Sequence, residues 1–147
     1  MKKDVMISLV GKQNDGEEQE KIELLTEGVY YSEDGKHFVT YDETEVTGFE
    51  GTTTTLQIEG ERLTLVRSGQ NNSQLIFEKG QRHLCCYETA YGVFTIGIRS
   101  SDVSINLGDS EGVVSAEYRV EIDNTASVYN DFKMQFREIK FENKFSN

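Results

Sequence analysis

Proline and tryptophan are absent from this 147-residue sequence, and cysteine and histidine occur only twice each. The adjacent Cys85 and Cys86 exclude a disulfide framework, because neighbouring residues of a strand point to opposite faces. Cations are also scarce: 15 Lys and Arg stand against 26 Asp and Glu, which gives a net charge of -11. This balance argues against nucleic-acid binding and against attraction to an anionic membrane, since both require a basic surface.

Long apolar runs are missing as well. No segment approaches the roughly 18 apolar residues of a transmembrane helix. Ser8 and Gly11 interrupt the only apolar stretch near the N-terminus, so a signal peptide is not predicted. We therefore expect a cytoplasmic protein with two reduced thiols. Capped helical patterns are equally scarce. The best candidates for a helical turn are Asn14–Lys21 and Thr44–Phe49, and either segment could equally be a loop.

Alternation of apolar and polar residues is the strongest pattern present. Val103, Ile105 and Leu107 alternate with polar neighbours, and the residues from Phe132 to Phe136 do the same. Such alternation is typical of half-buried antiparallel strands. Further runs that alternate or are rich in Thr, Val, Ile and aromatic residues occur at 5–9, 20–31, 37–43, 52–59, 62–68, 74–79, 82–89, 93–99 and 114–122.

Short turn-forming segments such as Ser32–Gly35, Glu59–Glu61 and Gly108–Gly112 separate these runs. Connections this short leave little room for crossovers, and closing the sheet removes two aggregation-prone edges. We predict an all-β fold: a single domain over residues 1–147 that forms an antiparallel up-and-down β-barrel of about 8–10 strands. Residues 142–147 are expected to be a frayed tail.

Five segments carry a resemblance to a known family: Glu50–Leu56, Arg67–Gly69, Gln74–Gly80, Tyr87–Gly92 and Phe94–Ile98. From Met1 to about Lys140, the chain resembles the YwiB-like proteins, a group of small bacterial cytosolic proteins of unknown function. The resemblance implies a calycin-like barrel, the architecture of lipocalins and fatty-acid-binding proteins. It implies no catalytic residues, and ligand binding follows from it only by analogy of fold.

Catalytic and metal-binding patterns are not recognisable. A nucleophilic pair of Cys85 or Cys86 with His37 is conceivable in a barrel, but a thiolate needs positive surroundings and the chain is acidic. His83 and Cys85 share a strand face and offer zinc only two ligands. We therefore predict no enzymatic activity, no metal and no cofactor.

Arg67 has the most unusual predicted position, because strand alternation aligns it with Leu63 and Leu65. An arginine inside a barrel keeps its charge and needs a carboxylate, a carbonyl or an anionic ligand as partner. Glu88 and Glu78 are the predicted carboxylate partners. If neither contacts Arg67 and a cavity lies beside it, the arginine becomes the natural anchor for the anionic head group of a ligand.

Two further residues are included among the predicted ligand contacts. The run Thr52–Thr55 sends two of its four side chains inward, and Thr53 represents this lining. Tyr87 supplies an amphipathic ring that can line a mouth. The sequence thus favours a non-enzymatic binding module for a small amphipathic molecule, with no nucleic-acid or membrane partner. The alternative is a protein-interaction or assembly module whose barrel is filled by side chains, and interior volume separates the two.

Overall fold

The alternating runs form ten antiparallel β-strands in the computed structural model. The structure describes residues 2–14, 18–47, 49–70, 72–89, 91–122 and 126–140. The predicted frayed tail at 142–147 lies outside these residues. The strands are β1 (Lys3–Asn14), β2 (Gln19–Glu33), β3 (Lys36–Asp42), β4 (Thr52–Glu59), β5 (Arg62–Gly69), β6 (Ser73–Glu78), β7 (Arg82–Thr89), β8 (Gly92–Leu107), β9 (Glu111–Ile122) and β10 (Ala126–Glu138).

Each strand pairs with its neighbours in sequence, and β10 pairs with β1 to close the barrel. The predicted all-β, up-and-down barrel is therefore confirmed. The closing pair places Ile7 opposite Phe136 and Leu9 opposite Met134. This apolar register lets both strands bury the same face, which fixes their pairing. Within the described ranges, no helix has the length and apolar character that crossing a membrane requires.

Two local predictions differ from the structure. The separate runs at 93–99 and 103–107 form one strand, β8, with a register shift between Ser100 and Asp102. A bulge of this kind bends a strand without ending it, so one strand can carry two alternation patterns. Neither helix candidate is a helix in the described residues: Thr44–Thr47 forms a turn closed by the Thr47 N–H donating to the Thr44 carbonyl at 3.2 Å.

The β2–β3 connection shows how the sequence fixes a turn. Asp34 and Gly35 form a two-residue turn, and both have positive φ, 53° and 78°. A two-residue hairpin of this type needs positive φ at both positions, which Asp tolerates and Gly adopts freely. The turn matches the twist of the flanking strands and sets their register.

The core fills one end of the barrel and continues along the interior wall as far as Leu24 and Tyr41. Val5 and Ile7 of β1, Ile58 of β4 and Leu63 of β5 are at most 1% exposed, and Phe136 of β10 covers them from the closing strand. This end carries the β2–β3, β4–β5, β6–β7 and β8–β9 turns. We call it the packed end and the opposite end the mouth end.

Candidate functional site

A cavity of about 530 Å³ occupies the barrel interior toward the mouth end. Its inner wall is apolar, with Leu56, Leu65, Leu75 and Phe77 among its side chains. It extends to Lys12, Gln13 and Glu20, whose side chains are exposed at the mouth end. Pockets for small molecules span roughly 300–1,000 Å³, so this cavity has room for a ligand.

A row of polar side chains crosses four strands at the level of the cavity. Tyr41 of β3 is opposite Thr54 of β4, Thr54 is opposite Arg67 of β5, and Arg67 is opposite Ser73 of β6. We call these four residues the polar row. The strand alternation that points Leu63 and Phe77 inward points these residues inward as well. One pleat deeper lies the apolar row of Val39, Leu56, Leu65 and Leu75.

Three members of the polar row have a buried polar atom without a hydrogen-bond partner among the described residues: Thr54 Oγ1, Arg67 Nε and Ser73 Oγ. Thr54 and Ser73 are only 0% and 6% exposed. Buried polar groups are normally paired, because an unpaired one loses its hydration without compensation. Three such atoms on adjacent strands make this row the candidate place for binding a polar group.

The loop between β3 and β4 adds a carboxylate to this place. Glu43 is 7% exposed and lines the cavity, and its Oε2 accepts a hydrogen bond from the Thr47 hydroxyl at 2.6 Å. Its other oxygen, Oε1, is buried and has no partner among the described residues. The Glu43 N–H donates to the Thr52 carbonyl at 2.8 Å, which holds the residue at the end of the strand pair.

Phe49 of the same loop contacts Arg67. The guanidinium carbon lies 4.1 Å from the centre of the Phe49 ring. A guanidinium stacked in this way is stabilised over its face, and its N–H groups remain directed along its plane. The stack therefore orients Arg67 without using its hydrogen-bond donors.

Burial raises the pKa of the Tyr41 hydroxyl far above its ordinary range. The negative charge of Glu43 raises this pKa further, and the positive charge of Arg67 opposes the shift. Tyr41 is 4% exposed, so it stays a neutral hydroxyl at physiological pH. The shift also shows that Tyr41, Glu43 and Arg67 lie within electrostatic reach of one another.

The predicted partners of Arg67 lie elsewhere. Glu78 Oε1 contacts Arg62 Nη2 at 3.3 Å and His83 Nε2 at 3.0 Å on the outer face. Glu88 Oε1 accepts from Asn72 Nδ2 at 3.4 Å. Within the described part of the chain, no carboxylate lies within 4 Å of the Arg67 guanidinium.

The reason is the orientation of β7. The prediction grouped Glu88 with Leu84 and Cys86, and the three do share a face, but it is the outer one. Leu84 is 66% exposed, whereas Cys85 is 4% exposed and points inward. Alternation fixes which residues share a face and leaves open which face is buried.

Thr53 does not line the cavity either. It lies on the outer face, where its hydroxyl donates to Asp42 Oδ1 at 3.0 Å. The two inward threonines of the run are Thr52 and Thr54, which are 2% and 0% exposed. Tyr87 lies in β7, and its side chain is outside the described part of the structure.

Glu43, Thr54, Ser73 and Phe49 were not among the predicted site residues. A signal for Glu43 exists in the sequence, since Val39, Tyr41 and Glu43 follow one alternation. No comparable signal identifies Phe49, which reaches Arg67 from an irregular loop. No group of His, Cys, Asp and Glu suited to a metal ion occurs within the described ranges.

Comparison with known proteins agrees with this architecture. The crystal structure of the ywiB protein from Bacillus subtilis superimposes with a TM-score of 0.84, covering 95% of this chain and 94% of that one at 17% sequence identity. No curated protein is significantly similar in sequence. A domain of unknown function, DUF1934, matches residues 7–135. The ywiB structure shares the fold, which agrees with the resemblance noted from the sequence, and the match over residues 7–135 shows that the chain belongs to the DUF1934 family.

Proposed function

We propose that this protein is a non-enzymatic, cytoplasmic binding protein that holds one small amphipathic molecule inside its barrel. The observation that carries the proposal is the Nε of Arg67, which is buried on the wall of a cavity of about 530 Å³ and has no hydrogen-bond partner among the described residues. An arginine keeps its charge, and a buried N–H of its guanidinium that has lost its hydration is unfavourable unless a ligand accepts the hydrogen bond.

The distribution of polarity in the cavity supports an amphipathic ligand. Tyr41 and Arg67 of the polar row line the cavity, and Phe77, Ile98 and Met134 provide a deeper apolar wall. An aliphatic tail against this wall removes apolar surface from water at about 25 cal/mol per Å². The head group would then lie beside Arg67. Lipocalin-like barrels bind ligands in the same place, and that analogy rests on the fold alone.

The cavity volume also separates the two functions that the sequence left open. A barrel filled by side chains leaves only voids the size of a water molecule. A cavity of about 530 Å³ is an order of magnitude larger, which favours the binding protein over an assembly module with a filled barrel.

The proposal is tested with the purified protein in two ways. Native mass spectrometry detects a retained small molecule, and titration with the neutral dye Nile red, followed by displacement with ten-carbon amphiphiles, measures binding inside the barrel. Arg67→Gln is expected to lower the affinity for the amphiphile about tenfold or more, because one charge-assisted hydrogen bond is lost.

Arg62→Gln is the matched control, because Arg62 lies on the same strand but points outward to Glu78. It is expected to bind as the unsubstituted protein does. A protein that retains no molecule and binds neither the dye nor any of the amphiphiles would overturn the proposal.

A further inference from the structure

Arg67 and Glu43 present opposite hydrogen-bonding demands to the same cavity. Arg67 Nε is a buried donor without a partner among the described residues, and Glu43 Oε1 is a buried acceptor in the same condition. Both residues line the cavity. A head group that satisfies both must accept from the arginine and donate to the glutamate.

The two hydroxyls beside Arg67 in the polar row do not belong to this pair. Thr54 Oγ1 and Ser73 Oγ flank Arg67 and are buried without partners among the described residues, but neither residue is part of the cavity wall. The choice of head group therefore depends on Arg67 and Glu43.

The charges select against an anion. A carboxylate head beside Arg67 would share the cavity with Glu43, and two like charges repel more strongly where side chains replace part of the surrounding water. Toward the mouth end, the cavity is also lined by two carboxylates, Glu20 and Asp131, and by one cation, Lys12, so the charge there is negative on balance. The net charge of -11 further lowers the local concentration of anions.

A cationic head is disfavoured for the reciprocal reason. It would pair with Glu43 but leave the Arg67 donor unpaired beside a second positive charge. An uncharged head with one donor and one acceptor leaves no such conflict, because Arg67 and Glu43 already balance each other's charge.

We infer that the barrel selects amphiphiles with an uncharged donor–acceptor head, a primary carboxamide or a similar group, over fatty acids and amines of the same length. This inference rests on the proposed function and specifies its ligand class. The carbonyl oxygen of the head accepts from Arg67 Nε, and its N–H donates to Glu43 Oε1.

The test uses one tail with five heads: decanamide, 1-decanol, decanoic acid, decylamine and methyl decanoate. Affinities are measured at neutral pH by calorimetry. Decanamide is expected to bind about tenfold more tightly than decanoic acid or decylamine, the effect of one unpaired or repelled charge. Methyl decanoate lacks the donor and is expected to be weaker than decanamide. Decanoic acid binding as tightly as decanamide would overturn the inference and leave the proposed function standing, whereas no binding by any member counts against the proposed function.

Glu43→Gln provides the reciprocal test. The substituted amide carries no negative charge, so the affinity for decanoic acid is expected to rise about tenfold relative to the affinity for decanamide. Glu88→Gln, an outer-face carboxylate contacting Asn72, is the control and should leave the order of the heads unchanged. Circular dichroism verifies that both variants are folded, and an unchanged order of heads in folded Glu43→Gln would contradict the assignment of Glu43.

Discussion

Arg67 and the two cysteines show how strongly one pleat position determines the chemistry of a residue. Arg67 points inward beside apolar neighbours and is held by the Phe49 ring, whereas Arg62, five positions earlier on the same strand, forms an exposed ion pair. Cys85 is buried and its neighbour Cys86 is exposed. Residues of the same type therefore have different reactivity according to the face they occupy.

The cysteines give a direct prediction at this scale. Burial raises the pKa of the Cys85 thiol, which disfavours the reactive thiolate. One equivalent of thiol, Cys86, is expected to react with Ellman's reagent in the native protein, and a second after unfolding. The Cys86→Ser variant should then show no rapid reaction. Two equally fast thiols in the native protein would contradict the burial of Cys85.

Aromatic residues at the cavity wall differ in what they contribute to stability. Phe77 is 0% exposed and packs edge to face on Tyr118 and Phe132 at centroid distances of 4.7 and 5.3 Å. Phe77→Ala is expected to lower the free energy of unfolding by about 3–5 kcal/mol. Phe132→Ala should lower the free energy of unfolding by less, because Phe132 is only partly buried and already borders the cavity. Urea unfolding of the two variants measures the difference, and a larger loss for Phe132→Ala would contradict this packing.

At the scale of the elements, β6 and β7 form the shortest strand pairing of the barrel among the described residues. Ladder pairing between these strands joins only Ser73 with Tyr87 and Gln74 with Cys86 in the described residues, and one more backbone bond beside it runs from the Glu88 N–H to the Asn72 carbonyl at 3.1 Å. Beyond it, side chains bridge the strands. The Ile76 N–H donates to Cys85 Sγ at 3.4 Å, and His83 contacts Glu78.

The His83–Glu78 contact predicts a pH effect. The hydrogen bond with His83 lowers the pKa of the Glu78 carboxyl, and the Arg62 charge lowers it further. A lowered pKa in the folded state means that this contact stabilises the protein above the ordinary glutamate pKa and is lost as pH falls through the folded-state value.

His83→Ala is therefore expected to raise the Glu78 pKa toward its ordinary range, as measured by NMR titration of the side-chain carboxyl carbon. His37→Ala, which removes a ring that contacts Ser32 on the β2–β3 hairpin, serves as the control. A Glu78 pKa that is the same in both variants would show that the histidine does not hold this carboxylate.

Strand packing at Gly28 gives a second prediction for the elements. A Cβ on Gly28 of β2 would overlap the Thr40 carbonyl oxygen of β3 and the Ile7 side chain of β1. Gly28→Ala is expected to destabilise the barrel by about 1–3 kcal/mol, because backbone must move. Gly11→Ala on β1 is the control, since its nearest neighbour, the Asp131 carbonyl oxygen, is 4.0 Å away. Equal urea midpoints for both variants would contradict the close packing.

At the scale of the whole molecule, the closed sheet separates a packed end from a cavity. The cavity wall takes residues from strands on every side of the barrel, so a ligand inside contacts strands distant in sequence. A molecule that binds only the folded barrel stabilises the whole of it by mass action.

Decanamide at about 100 times its dissociation constant is thus expected to raise the free energy of unfolding by about 2.7 kcal/mol. Urea unfolding with and without the amphiphile measures this gain, and Arg67→Gln at the same concentration should show less of it. Binding without any gain in stability would place the amphiphile on a surface that the unfolded chain shares.

The sequence by itself determined the strands, the short antiparallel connections and the shared face of Arg67, Leu63 and Leu65, because alternation and turn chemistry are local properties. It also determined that the face of Phe132, Met134 and Phe136 is apolar, and that face does close the barrel against β1. Local pattern could not decide which face of β7 is buried, and so it assigned Glu88 to the interior.

Only the tertiary structure decided which residues surround Arg67. The register of β3 to β6 aligns Tyr41, Thr54 and Ser73 with it, and an irregular loop brings Glu43 and Phe49 to the same cavity. Register depends on pairing between strands, and cavity volume depends on how all ten strands fill or fail to fill the interior. Both depend on many contacts between residues distant in sequence, which is why the candidate site forms only when the barrel is closed.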